Sequence, residues 1–121
     1  AGIFANHRRN LDAYIAEALA WAQGHESLLF SMNILSGGVQ DKDGIWDCTG
    51  PGQAGKGTYA PNCRMTSQQV ETYGKKLGVA GCAMTMWRYD AAFMADPANQ
   101  AAFKAVAGLL AVTAASPCTK P

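Results

Sequence analysis

Nowhere does this chain offer the roughly 20 consecutive apolar residues that a membrane-spanning helix requires. The longest stretch of that kind, Ala105 to Ala115, is short and alanine-rich. An excess of one charge is missing as well. Ten Lys and Arg stand against nine Asp and Glu, for a formal net charge of +1. Apart from Arg8-Arg9 and Lys75-Lys76 the basic residues are scattered. Such a chain carries no electrostatic footprint for nucleic acid or an anionic membrane surface. Histidine is scarce. His7 and His25 lie about a helix length apart, so they share no metal within one chain, and no Ser-His-Asp triad or nucleophile elbow is visible. No two cysteines have the C-x-x-C spacing of zinc or thioredoxin-like sites. No cofactor and no metal site is expected. The start has no signal-peptide pattern; Ala1-Gly2 fits either a cleaved start or a fragment boundary.

What is present supports one packed domain over residues 1–121, with 49% hydrophobic and 16% charged residues. The cysteines, Cys48, Cys63, Cys82 and Cys118, allow three pairings. Their even number and wide spacing point to two structural disulfides, hence to an oxidising compartment, secreted or periplasmic.

Apolar periodicity orders the chain. Leu11, Tyr14, Ile15, Ala18, Leu19 and Ala22 form a helical stripe within 5–23, with Gly24 as terminator. Residues 27–35 are a short, nearly continuous apolar run, which suits a strand buried on both faces. Residues 36–65 are rich in glycine, lack periodicity and read as a loop of about thirty residues, far longer than usual connections. Thr66, with Gln69 three positions on, predicts a capping box for a helix over 67–77, ended by Gly78. A second buried strand is expected over 79–87, and Asp96-Pro97 opens a last helix that stops at Ser116-Pro117.

The expected fold is therefore α/β, in the order helix, strand, long loop, helix, strand, helix. A helical crossover makes the strands parallel, with a right-handed connection. Cys48 and Cys63 both lie inside the loop and are paired on that ground. Cys82, early in its strand, and Cys118, just past the helix that runs back, then meet at the opposite end of the sheet.

Two apolar parallel strands leave open edges and call for further β-partners. Those partners come from other copies in a homo-oligomer or from the remainder of a larger chain. The order resembles the last two βα units of a (β/α)₈ barrel. The run Gly81-Cys82-Ala83-Met84-Thr85-Met86-Trp87-Arg88-Tyr89-Asp90 is similar to a final barrel strand that carries an aromatic residue to the mouth in secreted glycoside hydrolases. That resemblance implies a partial barrel and hydrolysis of glycosidic bonds.

In such folds, sites lie at the C-terminal ends of the strands. The candidate acids and bases there are Asp41, Asp43, Asp47 and Asp90. Asn33, Trp46, Tyr59, Arg64, Trp87, Arg88 and Tyr89 are the candidate contacts to a carbohydrate or small-molecule substrate. Glycoside hydrolysis needs two carboxyl groups at a set separation, and aromatic faces hold sugar rings. Solvated turn residues are the plain alternative for each aspartate, and core packing for Trp87. The seventh-strand end carries Met32-Asn33, where many retaining barrel glycosidases have a glutamate. Two further patterns are weak: Asp41-x-Asp43 lacks the later ligands of a calcium loop, and the run from Gly50 to Thr58 falls short of a phosphate loop. A non-catalytic binding module and a structural barrel fragment are the alternative functions.

Overall fold

The computed structural model describes residues 5, 10–22, 27–34, 39–40, 43, 45–49, 52–58, 63–87 and 90–113. Helix α1 spans Leu11–Ala22. It begins later than expected because Asn10 caps it: the Ala13 amide donates to Asn10 Oδ1 at 3.0 Å. Strand β1 is Leu29–Asn33, and two-residue strands β2 (Val39–Gln40) and β3 (Trp46–Asp47) follow. Helix α2 spans Ser67–Ala80, β4 Ala83–Trp87, the short α3 Ala91–Ala95 and α4 Pro97–Thr113. Gly24, Cys118 and Ser116-Pro117 lie outside the described residues.

The expected parallel pairing is present: β1 and β4 run side by side, with Leu29 opposite Ala83 and Asn33 opposite Trp87. The capping box is present too. Thr66 Oγ1 accepts from the Gln69 amide at 3.1 Å, while Gln69 Oε1 accepts from the Thr66 amide at 2.8 Å. Asp96 caps α4 by accepting the Ala98 amide at 2.8 Å, and Pro97 takes the first helical position.

Further features differ from expectation. Gly78 does not stop α2, which runs on to Ala80 and closes with the Gly81 amide bonded to Leu77 O at 2.9 Å. The glycines serve packing instead. A Cβ added at Gly74 would lie 2.7 Å from Val106 Cγ2, and one at Gly78 would run into Leu110, so α2 and α4 approach as closely as two glycines permit. The 36–65 segment also contains structure. Strands β2 and β3 pair antiparallel, with Val39 opposite Asp47 and Gln40 opposite Trp46.

Burial within this chain is one-sided. Side chains alternate across a strand. Phe30, Met32, Met84 and Met86 face the helices, and with Val70, Leu77, Ala102 and the stripe of α1 they form the core. The Tyr14 ring meets Phe30 edge-on, with centroids 6.1 Å apart. The other face is open: Ala83 and Thr85 are exposed, Leu29 retains 57% of its exposure and Trp87 58%. Across it, Ser31 Oγ and Thr85 Oγ1 share a hydrogen bond of 2.8 Å. Burying both faces of a sheet takes two covering layers, and the described helices supply one.

Candidate functional site at the strand ends

The C-terminal end of the sheet carries two of the predicted residues. Asn33 and Trp87 occupy paired register positions there, Asn33 buried at 6% exposure and Trp87 open. Beneath them lies the Ser31–Thr85 pair. Those two hydroxyls were not singled out in the sequence, although stepping back two residues from Asn33 and from Trp87 finds them.

The long segment is anchored at this end. Beyond β1, Ile34 O accepts the Met65 amide at 2.9 Å, so the segment leaves and returns at one point. Cys48 and Cys63 are disulfide-bonded as expected, with Cα atoms 5.7 Å apart. Cys82 is also disulfide-bonded; its expected partner, Cys118, lies outside the described residues. The glycines fold the tip back on β3. The Gly55 amide donates to Cys48 O at 2.7 Å and the Gly57 amide to Trp46 O at 2.6 Å. Both residues hold positive φ, 102° and 88°, which favours glycine. Amides that a phosphate would need are thereby turned to the hairpin.

The carboxylates divide. Asp47 is occupied by two donors: Thr49 Oγ1 at 2.7 Å on one oxygen and Gln69 Nε2 at 3.1 Å on the other. It ties the hairpin to the start of α2. Asp90 accepts the Phe93 amide at 2.7 Å and caps α3. Asp43 is exposed. Trp46 is half-buried on β3, and Arg64 is exposed, its amide held by Gln53 Oε1 at 3.0 Å. Asp41, Tyr59, Arg88 and Tyr89 lie outside the described residues. Gln53 was missed as an anchor, because a lone glutamine in a loop carries no pattern of its own, and Gln69 was read only as the capping-box partner of Thr66. Among the described residues, no three His, Cys, Asp or Glu side chains come together as a metal set, and no helix is long and apolar enough to cross a membrane.

The cap at Asp90 makes a direct prediction. Asp90→Ala should lower stability by about 1 kcal/mol, read as a shift in the denaturation midpoint, with Asp90→Asn retaining most of the difference. Equal stability of all three proteins would remove the capping role and return Asp90 to the pool of free carboxylates.

No family model, no curated protein and no solved structure matches this chain. It is a mixed α/β protein with a two-stranded parallel sheet, four helices among the described residues and a disulfide-closed hairpin segment.

Proposed function

We propose that the chain is part of a (β/α)-barrel hydrolase of the secreted glycoside hydrolase kind, and that its strand ends line the carbohydrate groove. The observation that carries this reading is the uncovered face of the parallel sheet. In a barrel the helices lie outside and the opposite strand face lines the interior. Leu29, Ser31, Ala83, Thr85 and Trp87 occupy that opposite face. Further strands, from a longer chain or from other copies, would cover them. Trp87 then stands at the mouth and offers an aromatic face to a sugar ring, with Asn33 buried beside it. The disulfides favour an exported protein.

The hydrolytic part rests on fewer groups. Asp47 and Asp90 are engaged in holding the hairpin and α3, and Asp43 has a partner of its own. Catalytic carboxylates on other strands are the alternative. The same engagement favours a second reading, a carbohydrate-binding module without turnover.

A panel of chromogenic glycosides, run beside binding of soluble oligosaccharides followed by tryptophan fluorescence, separates the two. Trp87→Ala is expected to weaken oligosaccharide binding about tenfold, the loss of one stacking contact. Unchanged affinity would reject the strand-end groove. Turnover that survives Asp→Asn at positions 41, 43, 47 and 90 would remove these carboxylates from the reaction, and binding without turnover would select the module.

A further inference from the structure

A cavity of about 350 Å³ lies apart from the strand face, between the hairpin segment, the start of α2 and the α3–α4 junction. Its size falls in the range of small-molecule sites. Its walls carry polar groups without partners among the described residues. Asn99 is 93% buried on α4 and spends its Nδ2 on Phe93 O at 3.0 Å; its amide oxygen has no partner among the described residues. A buried acceptor in that state asks for a water or a ligand. Among the described residues the Arg64 guanidinium, the Gln53 side-chain nitrogen and the Ser67 hydroxyl have no partner either. Asp96 spends one carboxylate oxygen on its cap and keeps the other.

We propose that this cavity binds a single neutral sugar unit. The charges select against ions. Arg64 and Asp96 come from different walls, form no ion pair with each other and cancel in sum, so neither an anion nor a cation is favoured. Two helices start at the cavity, but Asp96 fills the end of α4 with negative charge and opposes phosphate there. The remaining pattern mixes donors at Arg64 and Gln53 with acceptors at Asn99 and Asp96. Hydroxyl groups, which donate and accept at once, match that mixture. Met65 and Phe93 add an apolar wall for the C–H face of a ring. The inference stands whether or not the strand ends bind sugar, because none of these residues belongs to that face.

Ligand-observed NMR and calorimetry on the full chain, with glucose, galactose, mannose and xylose, test it. Saturable millimolar binding of at least one sugar is expected. Arg64→Ala should weaken it about tenfold, the worth of one charge-assisted hydrogen bond, with an unchanged circular dichroism spectrum. Lys104→Ala, an exposed position on α4 outside the cavity, should leave it unaltered. No binding of any of the four sugars would overturn the proposal. Equal binding by Arg64→Ala and Asn99→Leu would also overturn it, as would loss in Lys104→Ala. Tighter binding of glycine or inorganic phosphate than of any sugar would show that the cavity serves a charged ligand instead.

Discussion

Replacing Cys48 and Cys63 together by alanine is expected to lower the unfolding free energy by about 3 kcal/mol, the loop-closure entropy of a crosslink of this span. The two residues are 15 apart in sequence. Both sulfurs are buried, so serine would add the burial of two hydroxyls, and alanine isolates the crosslink. More than the crosslink depends on it. Cys48 lies directly after β3, whose Asp47 is tied to Gln69, and Cys63 leads into Met65, whose amide bonds Ile34 O. Freed, the segment would have to keep a pair of two-residue strands closed, and such hairpins are marginal without help. The midpoint of thermal unfolding should fall by about 10 °C or more for a domain of this size. The double alanine variant, compared with the parent under non-reducing conditions, keeps the Cys82 bond out of the comparison. A loss under about 1 kcal/mol would mean that the hairpin and its anchors hold the segment unaided. The cavity offers a second readout, since Gln53 and Arg64 sit on this segment and its sugar binding should fall with it.

The parts of the fold that were legible in the sequence rest on neighbours in the chain. Thr66 with Gln69, and Asp96 with Pro97, announce helix starts because capping is an exchange within four residues. The parallel pairing followed from order alone, a helix between two apolar runs. Gly78 misled because a glycine near the end of an apolar stripe reads as a terminator, whereas here its missing side chain admits Leu110, about thirty positions away. Strands β2 and β3 are too short to carry a period. The one-sided burial was hidden for another reason. An apolar run tells how much surface wants cover, but the number of covering layers is decided by elements elsewhere.

The candidate site was read with the same strengths and gaps. Asn33 and Trp87 were placed at one sheet end by topology, and they stand opposite each other there. The aspartates were chosen by residue type, which cannot distinguish a reactive carboxylate from one that caps a helix. Asp90 precedes α3 at the capping position, a short helix whose five residues, Ala91–Ala95, were not expected from the pattern. Asn99 was passed over because an asparagine on a helix reads as surface, and only the fold of α3 against α4 buries it.

The same substitution at two leucines tests both the core and the open face. Leu77 on α2 is fully buried, facing the sheet from the helical side. Leu77→Ala is expected to lower stability by about 3–4 kcal/mol, from lost transfer energy plus the cavity left behind. Leu29 on β1 points the other way and is 57% exposed. For the dilute chain alone, Leu29→Ala should change stability by less than about 1 kcal/mol, since little apolar area leaves water there. Closure of further strands over that face narrows the difference between the two. Leu29 then becomes a lining residue, and its loss should rise towards that at Leu77, appearing as weaker self-association at high protein concentration or as a stability loss in a longer protein carrying these strands. Denaturant titrations of both variants across a range of protein concentrations give the answer. A Leu29 effect that stays small where Leu77 costs several kcal/mol, in every assembled form, would leave the second face of the sheet to solvent and remove the physical ground for a barrel.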